Sequence, residues 1–162
     1  MGFAPLIGVI GAGSCSEEVE ELAFEVGREI ARSNAILVCG GLEGVMAAAA
    51  RGAKQLGGHT VGILPGPSID EANAYIDFPI ATDMGHARNV IIANTAQVLI
   101  AVAGSYGTLS EIALALKIGK GVIALQPQFS IPGVRVVTSP QEAVREALAL
   151  IQKGRVPASV VA

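Results

Sequence analysis

The sequence predicts a doubly wound α/β fold, a mostly parallel sheet with helices on both faces, and three observations predict it. Short continuous apolar runs such as Leu6–Ile10 and Val98–Val102 alternate with segments of helical periodicity, which is how parallel strands buried on both faces read. Glycine-rich turns stand where three of those runs give way to helices. Hydrophobic residues make up 51% of the 162-residue chain and charged ones only 15%, so the chain needs a large core or a subunit interface to hold them.

The elements follow in order. Leu6–Ile10 is a strand ending in Gly11-Ala12-Gly13-Ser14, and Val19, Leu22, Ala23, Val26 and Ile30 then repeat with the helical period. Residues 35–39 form a second strand stopped by Gly40-Gly41, and the Ala-rich segment 44–56 has high helix propensity. Residues 59–64 form a third strand, which Pro65-Gly66-Pro67 cannot continue. A loop over 67–74, a candidate lid, precedes a short strand over 75–81, and 86–95 is compatible with a helix. Val98–Val102 is the next strand, followed by Gly104-Ser105-Tyr106-Gly107-Thr108 and a helix carrying Leu109, Ile112, Ala113 and Leu116 on one face. Lys117 and Gly119 suit its end. Residues 121–125 and 134–138 complete the strands, and Ser139-Pro140 opens a last helix to about Lys153. We expect one Rossmann-like domain over 1–162.

Bulk properties narrow the function. Net charge is −3, the isoelectric point is about 5.3, and Lys and Arg form no cluster, which excludes a broad electrostatic footprint for nucleic acid. Mean hydropathy is +0.55, yet no apolar run nears the ~18–20 residues that span a bilayer, and no signal segment opens the chain. A cytoplasmic homo-oligomer, dimer or tetramer, is the expected outlet for the apolar excess. Cys15 and Cys39 lack CxxC spacing, and His59 and His86 are isolated, so reduced thiols and no metal site are expected.

The chemistry sits in the turns. In a parallel sheet every strand-to-helix junction lies at the carboxyl edge, where ligands bind near the switch in strand order. Helix N-termini there expose unpaired N–H groups, and glycine lets an anion approach the backbone. The first turn offers Gly11, Gly13 and Ser14, the second Gly40, Gly41 and Gly44, and the third Gly104, Ser105, Tyr106, Gly107 and Thr108. Together they predict a site for a phosphorylated small molecule. Position 16 is Ser rather than Gly, and residues 35–39 bring no acidic residue, so NAD binding is not favoured. Ser14…Glu17, Thr108…Glu111 and Ser139…Glu142 each match the S/T-x-x-E capping box, which gives Glu111 a purely structural reading beside any catalytic one.

The segment Val102-Ala103-Gly104-Ser105-Tyr106-Gly107-Thr108-Leu109-Ser110-Glu111 resembles the PGGxGTxxE signature of the Lonely Guy (LOG)-like superfamily, also called lysine decarboxylase-like. Cys39-Gly40-Gly41-Leu42-Glu43-Gly44-Val45-Met46 is similar to its GGxxGxM block, and Gly85-His86-Ala87-Arg88-Asn89 stands where its MHxRK block falls. The resemblance covers about residues 6–150. It implies either phosphoribohydrolase activity on nucleoside 5′-monophosphates, with Arg88 and Glu111 catalytic, or binding without cleavage. Ala103 and Ser105 replace the Pro and second Gly of the signature, and Asn89 replaces its Lys. Those departures are similar to the molybdenum cofactor carrier branch, which implies a bound molybdenum cofactor or nucleotide monophosphate as ligand, with Asn89 among its contacts. A structural, oligomer-forming protein with a decayed site is the third reading.

Overall fold

In a computed structural model that describes residues 2–155, seven strands form one sheet in the order β4-β3-β2-β1-β5-β6-β7. The expected domain boundaries, 1 and 162, both lie outside the described residues. The strands are β1 (Leu6–Gly11), β2 (Ile36–Cys39), β3 (Thr60–Leu64), β4 (Phe78–Ala81), β5 (Val98–Val102), β6 (Gly121–Leu125) and β7 (Val134–Val137). All six neighbouring pairs are parallel. The helices are α1 (Glu17–Arg32), α2 (Val45–Gln55), α3 (Asn89–Thr95), α4 (Tyr106–Lys117) and α5 (Pro140–Arg155). The fold is therefore the doubly wound α/β one that the sequence predicts.

Strand order explains where a ligand can sit. The chain winds outward from β1 through β4, returns to place β5 on the other side of β1, and winds outward again. The switch point thus lies between β1 and β5, and their carboxyl ends open a crevice there. Helices α1, α2 and α5 bury Val26, Ile30, Ala49 and Ala147 with Ile7, Val9 and Ile100 on one face. Helices α3 and α4 bury Ile92, Ile112 and Ala115 with Ile10, Leu99 and Val122 on the other. The central strand β5 is buried throughout, as two covered faces require. No described helix is long and apolar enough to cross a membrane.

Four segments differ in detail from the sequence reading. Helix α1 is capped by Ser16, whose Oγ accepts from the Val19 N–H, so Ser14 is not its cap. Strand β4 starts at Phe78 rather than 75, because Tyr75–Asp77 is bound to the start of β3. The Thr60 hydroxyl donates to the Tyr75 carbonyl, and the Asp77 carboxylate accepts from the Thr60 N–H. The loop at 67–74 holds a 3-10 turn, Ile69–Glu71, begun by Ser68. The segment 85–95 likewise enters through a 3-10 turn, Gly85–Arg88, before α3.

Candidate functional site

Each of the three glycine turns leaves a strand at its carboxyl end, so all three share one edge of the sheet. The first two touch. The Val45 N–H donates to the Ala12 carbonyl at 3.0 Å. Gly44, at φ +65°, presses so closely on Ala12 and Gly13 that a Cβ there would run into their backbone. The first and third turns face each other across the switch point. Ala12, Ser14, Cys15, Ser16 and Val19 meet Ala103, Gly104, Ser105 and Gln128 around a cleft of about 290 Å³.

The helix starts at this edge are not equivalent. Helix α1 closes its own N-terminus with Ser16 and crowds its first turn with Glu17, Glu18 and Glu20. Helices α2 and α4 have no side-chain cap and no acidic residue in their first turns. The Val45 N–H at the start of α2 is taken by the Ala12 carbonyl. The N–H groups that follow it, those at the start of α4 and the positive end of each helix dipole are left for an outside acceptor. A larger hollow of about 510 Å³ runs between α1 and α5, but Glu18, Glu21 and Glu25 line it. Carboxylates repel an anion.

Arg88 and Glu111 lie just behind these turns, both only 8% exposed. The Arg88 Nη1 donates to the carbonyls of Gly40 at 2.8 Å and Ile63 at 2.6 Å, clamping the ends of β2 and β3. Its Nε is buried without a partner. Asn89 reaches the Ser110 hydroxyl at 3.4 Å, and Ser110 donates to the Gly107 carbonyl, so the start of α3 supports the start of α4. Glu111 is not in a capping box. Ser105 is the N-cap of α4, and Thr108 is already inside the helix. Burial pushes the Glu111 carboxyl up to about 7, against the opposing pull of Arg88. Burial also lowers the Arg88 pKa, while Glu111 raises it. A fully buried Cys39 thiol beside them is pushed up to about 11 by desolvation. A charged arginine and a carboxyl that titrates near neutrality can bind an anion or exchange a proton.

The geometry therefore gathers the glycines of all three turns, with Ser14 and Ser105, at one edge. Arg88, Asn89, Thr108 and Glu111 form the wall behind. Tyr106 stands outside on the rim, 80% exposed. His86 is exposed, and Met46 belongs to the core. Sequence reasoning missed Asn73, whose amide donates to the Gly41 and Leu42 carbonyls and braces the second turn. It also missed Gln128 and Phe129. They follow β6 and so reach the same edge by the rule that pointed to the other turns, but no glycine drew attention to them.

Comparison with known proteins identifies the family and the fold. A family model described as the SLOG cluster4 family matches residues 4–155. A protein of Archaeoglobus fulgidus, described only as uncharacterized, is 55% identical over 85% of this chain and 91% of its own length. The cytokinin riboside 5′-monophosphate phosphoribohydrolase of Mycobacterium tuberculosis is 37% identical over 59% of this chain, which spans about half (52%) of that relative. Among solved structures, the molybdenum cofactor binding protein of the phototrophic bacterium Rippkaea orientalis superposes with a TM-score of 0.87 at 35% identity, covering 92% of this chain and 98% of its own. The Moco carrier protein of Chlamydomonas reinhardtii does so with a TM-score of 0.85 at 38% identity, covering 93% and 99%. The chain belongs to the SLOG cluster4 family, within the LOG-like superfamily and on the side of its molybdenum cofactor carrier proteins.

Proposed function

We propose that this chain binds and carries a phosphorylated, nucleotide-like small molecule, with the molybdenum cofactor, a phosphorylated pterin–dithiolene, as its cargo. One observation carries the reading: α2 and α4 start at one edge of the sheet with no side-chain cap and no acidic residue in the first turn. Two such ends suit a phosphate without any lysine. The cleft beside them fits the rest of such a ligand in its donor set, with the hydroxyl-bearing residues Ser14, Ser16 and Ser105 on its walls. In this reading Gly11, Gly13, Gly40, Gly41, Gly44, Gly104, Gly107 and Thr108 shape the cradle, and Arg88 and Asn89 hold its back wall. The acting unit is one domain over 1–162 in a cytoplasmic homo-oligomer.

Mass spectrometry of the small molecules that stay bound through purification tests the cargo. Thermal melting with AMP, inorganic phosphate and molybdate tests the site. A ligand at 100 times its Kd adds about 2.7 kcal/mol of stability. The absence of any shift with all three overturns the reading.

A second reading, nucleoside 5′-monophosphate phosphoribohydrolase, is favoured by a different observation, the buried Glu111 carboxyl held near neutrality beside Arg88. Glu111 would support the oxocarbenium-like sugar or orient water, and Arg88 would steady the negative charge. Free adenine released from AMP, and lost in Glu111→Ala, supports it. No base released by folded protein removes it.

A further inference from the structure

We infer that Tyr106 and Phe129 form an aromatic platform for the planar heterocycle of the ligand whose phosphate the helix starts hold. The inference rests on the phosphorylated-ligand reading above and adds where the ring goes.

Tyr106 is the first residue of α4, and the residue is 80% exposed. The chain has only two Tyr, four Phe and no Trp, so an aromatic ring left at a helix start is not surplus packing material. It is not alone there. Phe129, from the loop after β6, lies against it with ring centroids 5.9 Å apart and planes tilted by 34°. Two aromatic rings from separate segments thus meet next to the switch-point cleft, and Phe129 lines an adjoining hollow that shares Gly104, Ser105 and Gln128 with it. Their chain neighbours Ser105 and Gln128 line that cleft. The β6 loop is held in place, since Gln126 donates to the Glu18 carboxylate at 2.8 Å and the Ala103 N–H donates to the Leu125 carbonyl at 2.8 Å.

Spacing decides how a ring would sit. A ring sandwiched between two others needs about twice the ~3.5 Å contact distance, roughly 7 Å, and 5.9 Å is too little. The ligand ring therefore stacks on the open face of the pair. Gly107 and Thr108 directly follow Tyr106, so the platform adjoins the α4 amides along the chain. The ligand class that uses both features is a phosphate joined through a short linker to a flat heteroaromatic ring, a purine or a pterin. Stacking tolerates either, because every such ring offers a π face.

The test compares a ligand with the ring and one without it. Formycin 5′-monophosphate, a C-nucleotide that resists glycosidic hydrolysis, and ribose 5-phosphate are titrated calorimetrically into wild-type protein and the Tyr106→Ala, Tyr106→Phe and Phe129→Ala variants. Wild type binds the nucleotide about tenfold more tightly, or about 1.4 kcal/mol. Either alanine variant removes that preference and leaves ribose 5-phosphate within about twofold, whereas Tyr106→Phe retains it. Equal wild-type affinity for the two ligands overturns the platform. So does a nucleotide preference that survives both alanine variants, or an alanine variant that weakens both ligands alike or alters only the oligomeric state. Failure of wild type to bind either ligand or inorganic phosphate is a different failure, that of the phosphate site itself.

Discussion

Helices α4 and α5 carry the same four-residue pattern near their starts and put it to opposite uses. At α5, Ser139 accepts from the Glu142 N–H at 3.2 Å, and the Glu142 carboxylate accepts from the Thr138 N–H at 3.1 Å. The helix satisfies its own leading groups. At α4, the pattern Thr108-Leu109-Ser110-Glu111 begins three residues after the N-cap, Ser105. The threonine cannot cap, the glutamate points into a buried wall beside Arg88, and the helix start is left open. A capping pattern acts as a cap only in register with the helix start. Moved inward, the same residues keep the N-terminus free for a ligand and place a carboxyl where burial controls its proton.

The largest effect that could break this contrast comes from removing Arg88. Arg88→Ala leaves the Gly40 and Ile63 carbonyls without their donor and Glu111 without the nearby cation that lowers its pKa. Losing one partner of a buried charged arrangement costs about 3–5 kcal/mol. The loss should be greater at pH 8, where Glu111 is ionised, than at pH 5, where it is protonated. Denaturant unfolding at the two pH values checks this, and an equal loss at both would mean that Arg88 and Glu111 do not interact.

Gly104 comes next, because it makes the α4 start open. Its φ is +103°, and a Cβ there would press into the Thr108 side chain. Gly104→Val should cost roughly 2–3 kcal/mol through backbone strain and collision. It should also abolish any melting shift with phosphate or AMP. Val substituted at Gly154, late in α5 with open space around it, should leave both nearly unchanged.

Glu111 itself gives a pH signature. An unfolded chain holds this carboxyl near its ordinary 4.5, and the fold holds it near 7. Between those values the folded state keeps a proton that the unfolded state has released. Stability is therefore fully present below 4.5 and falls as pH rises toward 7, by about 3 kcal/mol in all. Ligand-free wild type should melt lower at pH 8 than at pH 5, and Glu111→Gln should show a shallower fall. Equal slopes would place the Glu111 carboxyl in water.

The same contrast marks how far the sequence could be read. The sheet was legible because its strands are buried on both faces, and runs such as Val98–Val102 show that directly. The turns were legible because glycine is needed where Gly44 and Gly104 take positive φ. The register of the helix starts was not. Ala103 at φ +48° and Gly104 turn the chain early, so α4 begins at Tyr106, and nothing in S/T-x-x-E reports such a shift. The first helix misled in the same way, with Ser16 capping instead of Ser14. Asn73, Gln128 and Phe129 were invisible for another reason: their roles depend on which segments the sheet brings together, not on any local pattern.

The smallest effect tests the α5 side, where the pattern is only structural. Ser139→Ala removes the acceptor for the Glu142 N–H and should cost about 1 kcal/mol, measured as a lower urea midpoint with an unchanged slope. No residue of α5 lines the cleft, so phosphate and nucleotide affinities should not move. Thr108→Ala is the matched change at α4. Its hydroxyl caps nothing, so the cap contribution is absent, and any loss beyond that of a trimmed buried side chain should appear in ligand affinity instead. If Thr108→Ala lowers stability as a lost cap would and leaves every ligand untouched, α4 is only another self-closed helix, and the division between the two starts fails.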